Sequence, residues 1–391
     1  MQGRLKKQVS DGLFKQICSQ YAKIWKRIFR QIYLDFYVRE TRMTYQYRQR
    51  LPDTPLDIIG DVHGEADALF ALLDHLGYRA DGSHPEGRRL VFVGDLCDRG
   101  PDSPRVLAWF KQAHDAGFAY MVLGNHELNA LVGDPKDGSG WYFDARREKD
   151  DVLYAPWRVL PEAEKPELAA WLAQQPLVLE REDLRIVHAA WLPESMERLE
   201  AAGGEDLRTQ YRRYDTELNN ILAQAPWYGD YLAEQQCYAE ACENPEKLPP
   251  PMPATAAYEL QRSRLHPIRA LTSGVEEPAK APFYASGRWR FTARCAWWQN
   301  YHEETPVVIG HYWRHWYPKA PDPHRENLMP SENNAWHGVR GNVYCIDYSV
   351  GARWRDRKNG TAAADSVFRL AALRWPEKTL VFDNGETAPT R

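Results

Sequence analysis

From about residue 55 the chain alternates short apolar runs with longer amphipathic stretches. The runs "PLDIIG", "RRLVFVG" and "AYMVLG" are rich in branched and aromatic residues and predict strands. Between them, "EADALFALLDHLGY" carries Leu69, Leu72, Leu73 and Leu76 on one face, and "SPRVLAWFKQAHDAG" follows the second run; both predict helices. Strands and helices in strict alternation imply parallel strands with right-handed crossovers, so the fold class is α/β. Further along, "PELAAWLAQQP" predicts a helix, while "LVLERED", "LRIVHA", "PVVIGH", "GNVYCIDY" and "TLVF" predict strands. Residues 194–240 are patterned as helices, and "ENPEKLPPPMPATA" interrupts them with proline.

The first 42 residues follow another pattern. Phe14, Ile17, Tyr21, Ile24, Ile28, Ile32 and Phe36 recur at three- and four-residue steps, with Lys23, Lys26, Arg27 and Arg30 around them. This stretch holds ten Lys/Arg against three Asp/Glu, in a 391-residue chain of net charge −4. Three readings stay open: a helix docked on the main domain, a basic amphipathic helix making a peripheral membrane or partner contact through residues 13–37, or a non-native extension upstream of a start at Met43. Composition adds little beyond a soluble globular chain, with 43% hydrophobic and 27% charged residues. The overall acidity gives no case for specific nucleic-acid binding. No apolar run approaches the roughly 18 residues of a membrane span, and no secretory signal pattern is present. The six cysteines form no C-x-x-C pair, which fits free thiols in a cytoplasmic setting.

Chemistry collects where the apolar runs stop. "LDIIGDVHG" delivers Asp61 and His63, "LVFVGDLCDRG" delivers Asp95, Asp98 and Arg99, "MVLGNHE" delivers Asn125 and His126, "LRIVHAAW" delivers His188, and "VVIGHYW" delivers His311. Five predicted strands thus end in Asp, Asn or His within about two residues, and in an α/β sheet such ends face a common ligand site. Carboxylates, imidazoles and one amide with no thiolate suit two divalent ions, manganese first, with iron, zinc or cobalt as alternatives. Asp61 and His63, two apart on an extended segment, point the same way, and the carboxylate of Asp95 can bridge two ions. Glycines at 60, 64, 94, 100, 124 and 310 allow sharp turns beside these groups.

The ordered set "GDVHG", "GDLCDRG", "GNHE", a later His and a final "GH" resembles the calcineurin-like metallophosphoesterases, specifically their phosphoprotein phosphatase branch. The resemblance covers residues 55–190 and 305–385 and implies a metallophosphoesterase β-sandwich flanked by helices in four layers. It implies that Asp61, His63 and Asp95 hold one ion and that Asp95, Asn125, His188 and His311 hold the other. His126 resembles the general acid, Asp98 its orienting partner and Arg99 a phosphate clamp, so hydrolysis would proceed by direct attack of a hydroxide held between the ions. A departure stands at the fourth motif, where His-Gly-Gly is replaced by "HAAW" with Ala189 and Ala190. A second phosphate-binding arginine has three candidates, Arg264, Arg290 and Arg294.

The expected organisation is a first domain part at residues 55–193, a mostly helical cap insertion at 194–300, and a second domain part at 301–391. The insertion and its flank are rich in aromatics, among them Trp227, Tyr228, Tyr231, Trp289, Trp297, Trp298, Tyr312, Trp313 and Trp316, which either pack the cap or stack on a nucleobase. "CDRG" and "GNHE" are similar to the protein serine/threonine phosphatases. "ELAAWLAQQPLVLEREDLRIVHAAWLPE" and the ending "GHYW…LAALRWPEKTLVF" are similar to bacterial symmetrical diadenosine tetraphosphatases. The expected activity is therefore metal-dependent hydrolysis of phosphomonoesters, with serine/threonine phosphoprotein as substrate. The alternatives are a symmetrical tetraphosphatase releasing ADP from a dinucleotide polyphosphate and a non-catalytic phosphate-binding scaffold.

Overall fold

The computed structural model describes residues 45–285, 287–317, 328–329 and 332–391; the basic segment 1–42 lies outside them. Chain order gives β1 (Arg48–Arg50), β2 (Leu56–Ile59), β3 (Arg89–Phe92), β4 (Ala119–Met121), β5 (Val178–Arg181), β6 (Leu184–Val187), β7 (Glu276–Ala285), β8 (Arg288–Arg294), β9 (Val307–Ile309), β10 (Val343–Cys345), β11 (Ala371–Trp375), β12 (Thr379–Phe382) and β13 (Thr387–Pro389). They form a six-stranded sheet in the order β13-β12-β11-β2-β3-β4, a five-stranded sheet in the order β1-β5-β6-β9-β10, and the separate hairpin β7-β8. As the alternating pattern predicts, β2, β3 and β4 pair in parallel. Their crossovers are the helices Ala66–Leu76 and Ser103–Asp115. In the other sheet β6, β9 and β10 are parallel as well.

The continuous apolar run "LVFV" is explained by burial on both faces of its sheet. Val91 joins Ile58, Leu373 and Phe382 of its own sheet and Ile186, Val308 and Tyr344 of the other in one core between the sheets. Phe92, pointing the opposite way, packs edge-on against Phe110 of the helix Ser103–Asp115, with ring centroids 5.0 Å apart. Face-to-face sheets with helices outside make the expected mixed α/β sandwich. Local signals fix the helix ends: Asp102 accepts the amide of Arg105 at 3.1 Å to start one helix, and Gly77, at φ +89°, stops the other in a left-handed turn.

The segment between β6 and β9 is built of the helices Pro193–Ala202, Leu207–Leu222, Tyr228–Glu243, Pro253–Leu265 and Pro267–Ser273, followed by the hairpin β7-β8. Hydrophobic periodicity did not predict that hairpin, because its strands are half-exposed and mix charge with aromatics. Among the described residues no helix is long and apolar enough to cross a membrane. Five described cysteines, Cys97, Cys237, Cys242, Cys295 and Cys345, are free thiols.

At the end of the six-stranded sheet away from the carboxyl ends of β2 and β3, Asp57 is fully buried and takes both Nε (2.8 Å) and Nη2 (3.0 Å) of Arg88. It also accepts from Tyr78 Oη at 2.8 Å and from Arg374 Nε at 3.1 Å. Asp57→Ala leaves the buried Arg88 guanidinium without its principal carboxylate and is expected to cost about 3–5 kcal/mol of stability, measured by urea unfolding. A loss of less than about 1 kcal/mol would mean that water reaches this corner and replaces the pair.

Candidate active site

The carboxyl ends of five strands deliver the sequence-predicted residues to one place, but those strands belong to two sheets rather than one. β2, β3 and β4 bring Asp61, His63, Asp95 and Asn125 from the six-stranded sheet; β6 and β9 bring His188 and His311 from the five-stranded one. The strands stop earlier than the apolar runs do, so Asn125 lies in the first turn of the helix Asn125–Val132 rather than at a strand end.

Asp95 Oδ2 is the hub. It lies 3.3 Å from His188 Nε2, 3.9 Å from His63 Nε2 and 3.9 Å from His126 Nε2. Asp61 Oδ2 is 4.0 Å from His63 Nε2, and both Asp61 oxygens face the amide of His311 at 3.1–3.3 Å. Asn125 Oδ1 lies 2.8 Å from His311 Nδ1 and 3.3 Å from His188 Nε2. Two overlapping groups result, His63–Asp95–His126 and Asp95–His188–His311, all buried and sharing Asp95. In two of these imidazoles the far nitrogen is committed to a backbone carbonyl: His63 Nδ1 to Cys97 at 3.1 Å and His188 Nδ1 to Val93 at 2.7 Å. Such bonds turn Nε2 toward the hub as the candidate ligand atom, an orientation typical of metal-binding histidines. The donor chemistry therefore fits a pair of divalent ions.

The electrostatics point the same way. Burial pushes the Asp61 carboxyl well above the usual carboxylate range, and the nearby Asp347 carboxylate adds to it. Burial alone would raise Asp95 too, but His188 and His126 hold it well below. Burial, with Arg99 beside one and Arg294 beside the other, keeps His63 and His311 well below the ordinary imidazole range. Asp95 held ionised and His63 and His311 held unprotonated meet at one hub, a donor set suited to a cation other than a proton.

The backbone is bent to achieve this. His63, Asp95, Asp98, Arg99 and His311 all have positive φ, between +49° and +73°. Such conformations cost free energy and cluster at functional sites. At Gly124 a Cβ would fall 2.1 Å from Asp95 Oδ1, so no larger residue fits beneath the hub.

Beside the hub, His126 Nδ1 lies 2.5 Å from Asp98 Oδ2. Arg99 Nη1 reaches His63 Nε2 at 3.0 Å, and its guanidinium lies 5.0 Å from the Trp313 ring centroid. Of the three candidate second arginines, Arg294 on β8 comes nearest to this set, donating from Nη1 to the His311 carbonyl at 2.6 Å. Arg264 and Arg290 bind carbonyls of the hairpin instead, at Glu276 and Ala285. Four of the nine aromatics are packing: Trp297, Trp298 and Tyr312 are buried, and Trp316 lies on the core. Trp313 lies beside His63, with ring centroids 6.4 Å apart.

Sequence reasoning gave no role to Glu127 or Asp347. Glu127 accepts the amides of Asp95 (2.8 Å), Leu96 (2.7 Å) and Gly124 (3.1 Å), and Asp347 accepts those of Trp313 (2.8 Å) and Ser349 (2.9 Å). The Glu of "GNHE" was in view as part of the motif; Asp347 sits in a plain strand exit, "CIDY", with no signal of its own.

Two sheets that gather overlapping His and Asp groups at their strand ends define an α/β protein built around a divalent-cation site. Residues 54–246 match the calcineurin-like phosphoesterase family, and the chain carries a calcineurin-like metallophosphoesterase domain. Over 73 residues the chain is 52% identical to the asymmetrical bis(5'-nucleosyl)-tetraphosphatase PrpE of Halalkalibacterium halodurans, covering 18% of this chain and 30% of that one. Over 136 residues it is 35% identical to the symmetrical bis(5'-nucleosyl)-tetraphosphatase of Vibrio campbellii, covering 35% and 44%. The chain thus spans less than half the length of these relatives. Among solved structures it is similar to a cold-active protein-tyrosine phosphatase of a psychrophilic Shewanella, with 16% identity, a TM-score of 0.45, and coverage of 90% of this chain and 84% of that one.

Proton competition follows from the geometry. Burial alone would lower His188, but the adjacent Asp95 carboxylate pushes it up to about 10. In the ion-free protein at neutral pH that proton is bound, and an ion taken up by Nε2 must displace it. Affinity for Mn2+ is therefore expected to rise between about pH 6 and about pH 9, roughly tenfold per unit for one displaced proton. Calorimetry in two buffers of different ionisation enthalpy measures the proton released; a pH-independent affinity would contradict this.

Proposed function

We propose that the chain is a metal-dependent phosphoric ester hydrolase that cleaves phosphomonoesters, with serine/threonine phosphoproteins as its substrates. The observation that carries this reading is the hub: one carboxylate oxygen 3.3–3.9 Å from three imidazole nitrogens, one of which belongs to a His paired through its other nitrogen with Asp98. Asp61, His63 and Asp95 would hold one divalent ion, and Asp95, Asn125, His188 and His311 the other. When bound, such ions activate water and polarise phosphoryl oxygens, a role for which manganese is the first candidate.

The chain's own groups supply the rest. Arg99 offers a planar fork of donors for two phosphate oxygens, and Arg294, which donates to the His311 carbonyl, is the candidate second arginine. His126, with Nδ1 held by Asp98, presents Nε2 toward the hub and gives its proton to the ester oxygen as the P–O bond breaks. No serine or cysteine nucleophile is needed, since water attacks phosphorus directly. The insertion between β6 and β9, joined to the site through Arg294, is the segment we assign to substrate selection.

The tetraphosphatase names of the sequence relatives, asymmetrical in some and symmetrical in others, support a second reading, cleavage of a dinucleoside tetraphosphate, of which symmetrical cleavage releases ADP. A non-catalytic scaffold is the third, and the intact donor set weighs against it. Protein loaded with Mn2+ is expected to release phosphate from a phosphoserine peptide, with ADP release from diadenosine tetraphosphate slower by at least about tenfold in kcat/KM. His126→Asn should lower peptide turnover by roughly 10²- to 10⁴-fold while leaving Mn2+ binding in place. Dominant ADP release would establish the second reading, and no turnover of either substrate would leave the metal site standing and the choice of substrate without support.

A further inference from the structure

Trp141 is placed where the acid dyad needs an anchor. It belongs to "GSGWYFD", a stretch to which the sequence reading gave no role, and it is 2% exposed. Its indole Nε1 donates to Asp98 Oδ1, while Asp98 Oδ2 faces His126 Nδ1 at 2.5 Å. We propose that Trp141 is a positioning residue for proton transfer, fixing the Asp98 carboxylate so that His126 keeps its Nε2 proton aimed at the departing ester oxygen. This rests on the phosphoesterase reading above.

The physical case has three parts. An indole is a donor only, so it can hold Asp98 Oδ1 solely as an acceptor and never competes for the His126 proton. Asp98 is 1% exposed; without the indole its Oδ1 would be a buried acceptor with no side-chain donor, free to turn about Cβ–Cγ and carry Oδ2 off the imidazole. The stretch bearing Trp141 is itself fastened to the same loop. The Arg99 amide donates to the Gly138 carbonyl at 3.0 Å. A Cβ at Gly138, where φ is +85°, would lie 2.8 Å from the Arg99 amide nitrogen, so the two segments meet backbone to backbone. The residues that would protonate the leaving group and clamp the phosphate are thus braced from one side by one stretch of chain.

In the step itself, water oxygen bonds to phosphorus as the ester P–O bond breaks. The His126 Nε2 proton passes to the ester oxygen to give the free alcohol, and a proton lost by the attacking water restores the imidazolium. Demand for that proton depends on the leaving group. An alkoxide leaving from phosphoserine needs it; the phenolate leaving from p-nitrophenyl phosphate hardly does.

Trp141→Phe keeps a large ring and deletes the N–H. In the Mn2+-loaded full chain it is expected to lower kcat on a phosphoserine peptide by roughly 10- to 100-fold and on p-nitrophenyl phosphate by less than about threefold, with KM little changed. Asp98→Asn should show the same split, and the double variant should add little to it. An equal fall on both esters, or none, overturns the proposal while leaving the phosphoesterase reading intact; wild-type protein inactive on both esters sinks that reading instead. A second measurement needs no Trp141 variant. In protein labelled with ¹⁵N at its fifteen tryptophans, one indole N–H signal should lie downfield and move upfield in Asp98→Asn, and no indole signal moving would overturn the proposal.

Discussion

The loop that carries Asp95 is held by a carboxylate with no exposed surface. Glu127, in the first turn of the helix Asn125–Val132, takes the amides of Asp95 and Gly124 on Oε2 and those of Leu96 and Cys97 on Oε1, with the Cys97 thiol as a further donor. Two chain segments, one leaving β3 and one leaving β4, are thereby tied to a single side chain. The contact is reciprocal, because the His126 amide donates to Asp95 Oδ1 at 3.0 Å. Each segment thus carries a carboxylate that satisfies the other's backbone donors, so the distance between Asp95, Asn125 and His126 is set before any ion or substrate arrives. Buried acceptors with several amide donors are among the stronger polar contacts available to a protein, which suits a loop that must also bear left-handed φ at Asp95, Asp98 and Arg99.

That strain has a use. Left-handed residues at 63, 95 and 311 reverse the chain within one or two peptides, so side chains from β2, β3 and β9 turn back toward the gap between the sheets. A smoother exit would carry Asp61, Asp95 and His311 outward along their strands. The same compactness excludes side chains from below: a Cβ at Gly310 would lie 2.1 Å from Asp61 Oδ1, as close as one at Gly124 would lie to Asp95.

Much of the centre was legible because its chemistry sits immediately after strong apolar runs. "LVFVG" and "VVIG" mark strand exits by their period, and Asp and His at such exits are rare enough together to be read as a ligand set. Two properties were not legible from pattern alone. Periodicity cannot say which sheet a buried strand joins, so β6 and β9 read as further spokes of one sheet although they belong to the second. Side chains that act through hydrogen bonds leave no periodic trace either: Trp141 and Asp347 each sit in an ordinary stretch, and only the fold brings them to Asp98 and to the amide of Trp313. The hairpin β7-β8 was missed for a third reason, since a half-exposed ribbon with charges on both faces shows neither the strand period nor the helix period.

The division between legible and illegible parts follows the division of labour in the molecule. The candidate metal-binding part is specified by short-range rules, with strand exits, glycine at close approaches and donors at fixed spacing. The insertion obeys no such rules, yet it is not a separate body resting on the rim. Arg294 ends β8 and donates to the carbonyl of His311, a residue of the hub, while its guanidinium lies 5.5 Å from the Tyr312 ring centroid. The Trp297 indole donates to the carbonyl of Ala189, the residue after His188, at 2.9 Å. The insertion therefore holds the backbone at His311 and just after His188, one through each of these contacts. Alanine in place of glycine after His188 suits this arrangement: Ala189 and Ala190 are fully buried, and both of their amides are directed at the Leu271 carbonyl of the helix Pro267–Ser273. On the proposed reading, a substrate that shifts the insertion acts through the contacts that hold the carbonyls of His311 and Ala189, so selection would reach the histidines by direct bonds rather than by proximity.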